Sequence, residues 1–139
     1  MSKSIVLQVG VKVFLKNSDG RYLLLKRSPI SYPEIKNPWD IPGGRIQPGT
    51  DLSENIQREI FEETKLKSSE MPKLIFAQDI LRPDKHIVRL TFIGSISEER
   101  ELVLDSDHIE FKWVTLEEMI NEKELDEFTR EVLEKDFLT

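Results

Sequence analysis

Three glutamates of one segment, Glu59, Glu62 and Glu63, recur at i, i+3 and i+4, and Arg58 stands directly before the first. An α-helix turns about 100° per residue, so the three carboxylates share one narrow sector. Like charges placed this way repel by about 0.2–0.5 kcal/mol per pair. Such a cluster is tolerated when it stays solvated or when a cation lies among the carboxylates. Hard divalent cations such as Mg²⁺ take oxygen ligands of this kind and commonly bridge one or two carboxylates to the phosphates of a substrate. The chemistry indicated is a metal-assisted site for a phosphorylated ligand. A diglycine, Gly43-Gly44, precedes the segment and by itself predicts an ordinary tight turn.

A helix must present these groups. It should begin at Thr50 or Asp51, either of which can cap it, and run to about Lys65. Leu52, Ile56 and Ile60 at i, i+4 and i+8 form its expected buried stripe. The glutamate sector borders that stripe, at the edge of the core, and Phe61 points elsewhere. Upstream, Ser4 to Lys16 and Arg21 to Arg27 are apolar runs joined by Asn17-Ser18-Asp19-Gly20, which predicts a β-hairpin. Pro29, Pro33 and Pro38 make Ser28 to Pro38 a loop, and Trp39-Asp40-Ile41 a short strand stopped by Pro42-Gly43-Gly44.

Downstream, Lys73 to Leu81 and Ile87 to Ser97 are expected strands joined through Arg82 to His86, with a further strand at Glu110 to Val114. Leu116 to Asn121 and Asp126 to Leu138 predict helices, the second with an apolar stripe of Phe128, Val132 and Leu133. Strands, helix, strands and helix in that order indicate a mixed α+β sandwich rather than a doubly wound parallel sheet.

The chain has 139 residues, 38% of them apolar and 33% charged, which suits one soluble globular domain. No apolar run approaches the roughly 18 residues that a bilayer span needs. The start, MSKSIVLQVG, lacks the pattern of a secretory signal. Without cysteine there is no disulfide framework, thiolate metal site or cysteine nucleophile. A cytoplasmic address and no membrane partner are the default expectations. A net charge of −6 without a basic stripe argues against long nucleic acid as a partner. An acidic chain can still hold a small anion where bound cations invert the local field.

These residues together resemble the Nudix hydrolase family. That family's box runs Gly, five residues, Glu, seven residues, Arg-Glu-aliphatic-x-Glu-Glu-x-Gly-aliphatic; here it reads Gly44, five residues, Thr50, seven residues, Arg58-Glu59-Ile60-Phe61-Glu62-Glu63-Thr64-Lys65-Leu66. The surroundings also match: Trp39-Asp40-Ile41-Pro42-Gly43 before it, Glu110-Phe111-Lys112-Trp113-Val114 and Leu116-Glu117-Glu118 after it. Two positions depart from the pattern. Thr50 replaces the first glutamate, which in that family supports the loop and the arginine, and Asp51 is the nearest substitute. Lys65 replaces the last glycine, at a cost of roughly 1 kcal/mol if a left-handed geometry is kept.

The resemblance implies an α/β/α sandwich with a mixed β-sheet between helices, spanning residues 1–139 as a single domain. It implies Mg²⁺, or alternatively Mn²⁺, held by Glu59, Glu62, Glu63 and the backbone carbonyl of Gly43, with Arg58 orienting Glu59. A water would attack one phosphorus of a diphosphate in line. Its proton would go to Glu59 or to a downstream acid among Asp105, Asp107 and Glu110. The substrate implied is a small nucleoside diphosphate derivative: a nucleoside triphosphate, a nucleotide sugar or an ADP-ribose type. Homodimers occur among similar proteins.

Several residues admit plainer readings. Arg27, Arg45, Arg82 and Arg89 are candidates for phosphate contact, although any one such arginine is more often a surface charge. His86 and His108 lack metal-ligand spacing and read as hydrogen-bonded histidines. Trp39 and Trp113 read as core or cleft-wall residues. Pro83, seventeen residues past Leu66, matches a proline seen in the ADP-ribose-cleaving branch, and a turn explains it equally well. The main rival is a catalytically weak Nudix-fold sensor that binds a nucleotide without cleaving it. The isomerase branch of the fold uses a cysteine, which this chain lacks. A purely structural module with an acidic face is a third reading.

Overall fold

The computed structural model describes residues 4–97 and 100–138. Seven strands form one mixed sheet: β1 Val6–Lys16, β2 Tyr22–Arg27, β3 Trp39–Asp40, β4 Gly43–Arg45, β5 Lys73–Leu81, β6 Lys85–Ser95 and β7 His108–Val114. The helices are α1 Leu52–Thr64, α2 Leu116–Ile120 and α3 Glu127–Leu133. β1 pairs in parallel with β6 along its whole length, and the other strand pairings are antiparallel. Among the described residues, no helix is long and apolar enough to cross a membrane.

From Val11 to Leu15 β1 is buried on both faces because its side chains alternate between two cores, whereas Val6 and Leu7 at its start are exposed. Val11, Val13 and Leu15 meet Ile56 and Ile60 of α1 on one face. Phe14 meets Tyr22, Trp39, Met119 and Val132 on the other. The sheet therefore lies between α1 and the α2–α3 layer, as the sandwich expectation requires.

The expected hairpin forms, but only near its turn. Asn17 Oδ1 accepts from the amides of Asp19 and Arg21, Gly20 takes φ 77°, and Lys16 pairs with Tyr22. Beyond that point β1 and β2 part, and the chain from Trp39 to Arg45 enters the gap. β3 pairs with β2, Leu25 opposite Asp40, and β4 pairs with β1, Gly43 opposite Lys12. Gly43-Gly44 is thus part of a strand rather than the expected tight turn. Gly43 has φ 143°, and a Cβ there would stand 1.9 Å from the carbonyl oxygen of Val11. Only glycine fits that crossing.

Other boundaries shift. α1 is capped by Asp51, whose side chain accepts from the amide of Glu54, and Leu52 is exposed rather than buried. Asn55 and Glu63 share the buried side of α1 with Ile56 and Ile60. Lys65 does end α1 in the left-handed region, φ 63°. Lys85 and His86 belong to β6, not to the turn, and β7 starts at His108. β6 stops at Ser95, short of the expected Ser97. α3 stops at Leu133, although Leu138 still returns to the core.

Candidate active site

The loop before α1 is tied down by one amide side chain. Asn55 Oδ1 accepts from the amide of Gln47 and from Nη1 of Arg58, while its Nδ2 donates to the carbonyls of Thr50 and Asp51. Asn55 is completely buried. It thereby supports the loop, while Asp51, the substitute expected from the sequence, is occupied as the helix cap. Arg58, so held, donates to Glu59 Oε1 at 2.9 Å and to the carbonyl of Arg45. Its Nε also lies 3.6 Å from Glu62.

The three glutamates occupy different environments. Glu59 lies over Gly44, where an added Cβ would come within 2.6 Å of its carboxylate. Glu63 is buried, and its Oε1 accepts from the amide of Gly43 at 2.7 Å. Burial pushes its carboxyl up to about 8 from the usual 4.5; Lys12 and the Gly43 amide oppose this, and nearby Glu59 and Asp105 add to it. Glu62 stands apart, with 57% of its side chain exposed. The sequence spacing places the three in one sector; the fold buries one end of that sector and leaves the other in solvent.

Facing Glu63 from the start of β7 is His108, which the spacing argument set aside. Its Nε2 is 3.9 Å from Glu63 Oε2, and its Nδ1 is 2.7 Å from Asp105. One ligand atom each from Glu63, Asp105 and His108 lie within 4.8 Å of one another. Of the downstream acids, Asp105 therefore joins Glu63. Asp107 is exposed, accepting from Ser31 Oγ of the proline-rich loop, and Glu110 lies outside the cleft opposite Lys26. His86 is hydrogen-bonded to Asp79, away from this cluster.

Beside the acidic groups lies a buried charge network around Asp40. Its carboxylate receives Arg27 at 2.7 Å, Lys12 at 3.1 Å, the hydroxyl of Thr129 and the amide of Ile41. Arg89 approaches it at 3.5 Å and is bound chiefly to Asp126, the cap of α3, and to Thr129. Burial alone would raise the Asp40 carboxyl, but Lys12, Arg89 and Arg27 together hold it well below the usual range. Burial lowers the Lys12 ammonium against the opposing pull of Asp40. Lys12 also donates to the carbonyls of Ile41 and Gly43. The Gly43 carbonyl, expected as a metal ligand, thus faces an ammonium in this structure.

Two adjoining cavities share Lys12, Arg27, Gly44, Arg45 and Lys85. One, about 420 Å³, contains Glu63, His108 and Tyr32. The other, about 490 Å³, runs between β1, β5 and β6 and the start of α3. All four candidate arginines line the second: Arg27 and Arg89 in the buried network, Arg45 bound by Nε to Gln8, and Arg82 over the ring of Phe128. Trp39 is a core residue and Trp113 packs against the α1 core. Lys12, Asp40, Asn55, Asp126 and Thr129 were not singled out from the sequence. Asn55 carried a usable signal, since it lies three residues before Arg58 on a helix.

The donors fit a divalent cation. Glu63 and Asp105 offer hard carboxylate oxygens and His108 an imidazole within one cluster, Glu59 carries a further carboxylate near Glu63, and burial keeps the Glu63 carboxyl from ionising at its ordinary value.

Comparison with known proteins agrees with this geometry. The family model described as the NUDIX domain matches residues 6–136. A Bacillus subtilis protein provisionally named an 8-oxo-dGTP diphosphatase is 29% identical over 107 residues, 76% of this chain and 65% of that protein. This chain thus spans somewhat under two thirds of that relative. The nucleoside triphosphatase NudI of Escherichia coli is 28% identical over 117 residues, covering 77% of this chain and 82% of NudI. Among solved structures, a MutT protein from Methanosarcina mazei superposes with a TM-score of 0.78 at 26% identity, covering 94% and 93% of the two chains.

Proposed function

The chain belongs to the Nudix family of pyrophosphohydrolases, and on that footing we propose that it cleaves the diphosphate bond of a nucleoside diphosphate linked to another moiety, with Mg²⁺ as cofactor. Nucleoside triphosphates, named in the activities of its relatives, come first among the candidate substrates; nucleotide sugars and ADP-ribose types follow. The observation that carries this reading is a buried carboxyl, Glu63, fixed by the amide of Gly43 and opening on a cleft beside a cationic cavity.

Glu59, Glu62 and Glu63 are the metal-holding residues in this proposal, with Asp105 beside them. Mg²⁺ bound there supplies charge neutralisation at the diphosphate and acidifies a water. Arg58 keeps the Glu59 carboxylate turned over Gly44. The Gly43 amide holds one oxygen of Glu63 and leaves the other facing the cleft. The attacking water loses its proton to Glu59 or Asp105. Their position near Glu63 supports this choice over Glu110, which is exposed and opposite Lys26.

The rival, a nucleotide sensor without turnover, drew its weight from Thr50 and Lys65. Asn55 anchoring the loop and Arg58 removes most of that weight. A nucleotide panel with Mg²⁺, reading phosphate release alongside thermal shift, decides between them. Turnover of at least one member is expected; stabilisation without turnover across the panel establishes the sensor instead.

A further inference from the structure

We propose that the 490 Å³ cavity recognises a second anionic group of the substrate, a terminal phosphate outside the scissile bond; this rests on the hydrolase reading above. The chain as a whole carries −6, yet six cationic and two acidic side chains line this cavity. Lys12, Arg27 and Arg89 are matched by Asp40 and Asp126. Arg45, Arg82 and Lys85 are not: among the described residues none has a carboxylate within ion-pair distance.

Strand register brings this charge together. Gly10 of β1 stands opposite Arg45 of β4 on one side and Arg89 of β6 on the other. A Cβ on Gly10 would press to 3.3 Å against Nη1 of Arg45, so the missing side chain keeps the cavity floor open between the two guanidiniums. Arg45 and Arg82 are exposed and Lys85 is half-buried, so their charges stand at the cavity mouth without a carboxylate partner, where a bound anion would pair with them.

The acceptors point the same way. Asp126 Oδ2 takes Arg89 and the amides of Phe128 and Thr129, and its Oδ1 faces Arg27. Its Oδ2 is thus filled, and only Oδ1, with Arg27 at 3.5 Å, keeps capacity for another donor. Asp84, the other lining carboxylate, is exposed in the β5–β6 turn. The cavity offers donors that carry positive charge, which a phosphate meets with charged acceptors and a neutral sugar only with uncharged hydroxyls. The same group can arrive as the end of a longer phosphate chain or as a phosphate on the ribose.

Calorimetric titration of the whole chain in chelator tests this without turnover. Two probe pairs separate the sources: tripolyphosphate against pyrophosphate, and adenosine bisphosphate against adenosine monophosphate. In at least one pair the member with the extra phosphate should bind about tenfold tighter, with the preference weakening as salt rises. Whichever pair shows it identifies the source. Arg45→Gln should bring that ratio towards one. Arg82→Gln, on the exposed turn, should do so partially and carries the test if the first variant does not fold. Ratios near one in both pairs, or ratios that survive both substitutions, overturn the proposal. Loss of Mg²⁺-dependent cleavage across the nucleotide panel would remove the hydrolase reading and leave these ratios in place, so the two failures are distinguishable.

Discussion

Asn55 Oδ1 accepts from Nη1 of Arg58 at 2.7 Å, and the same oxygen takes the amide of Gln47 at 2.9 Å. One side chain thus couples the glycine-containing loop to the arginine that orients Glu59. Asn55→Ala should leave both donors without their partner and cost about 1–3 kcal/mol of stability. It should also lower kcat/KM by about tenfold or more, because Arg58 and Glu59 lose their fixed geometry. Unchanged unfolding midpoint and unchanged kinetics would show that the loop is held by something else.

Glu63 gives stability a pH dependence of definite sign. Its carboxyl lies at about 8 in the folded chain against an ordinary 4.5. Between these values the folded state keeps a proton that the unfolded state has released. Stability therefore falls as pH rises through this window, by up to about 1.4 kcal/mol per pH unit from this group. Below the window both states are protonated and the contribution is flat. Chemical denaturation at several pH values in chelator should show the fall, and Glu63→Gln should abolish it. A slope that persists in Glu63→Gln belongs to another group.

Turnover should require both the cation and the carboxylates. Chelator should abolish activity, and Mg²⁺ should restore it. Glu63→Gln and Glu62→Gln should each lower kcat by roughly a hundredfold or more, since several kcal/mol of charge stabilisation depend on the bound ion. Glu62 is exposed, so its variant should retain the wild-type unfolding midpoint and isolate the catalytic effect. Wild-type kcat in either variant would remove the metal assignment.

Lys65 occupies φ 63° at the end of α1, where a β-carbon is unfavourable. Lys65→Gly should stabilise the chain by up to about 1 kcal/mol. The gain is reduced by losing the ammonium over the ring of Phe61, 5.0 Å from its centroid. A denaturant midpoint that does not rise, at unchanged slope, would mean that the lost contact outweighs the relieved backbone.

Local sequence order was enough to locate α1, its capping region and most of the strands around it. Those features follow from periodicity and turn chemistry within short windows, so Glu59, Glu62 and Glu63 are legible as a sector and Gly20 as a turn. Burial within the sector was not legible. Glu63 faces the cleft and Glu62 faces water because of where α1 docks on β1 and β4. The parting of β1 from β2, which turns Gly43-Gly44 into a strand, depends on β3 and β4 entering the gap between them, and the other edge of β1 takes a parallel partner seventy-odd residues downstream. The charged network is the extreme case: Lys12, Arg27, Asp40, Arg89 and Asp126 come from five separate segments. Each alone has the look of a surface charge. Side-chain chemistry is fixed residue by residue, whereas the field each group feels is set by neighbours that only the closed sheet and the start of α3 bring within a few ångströms.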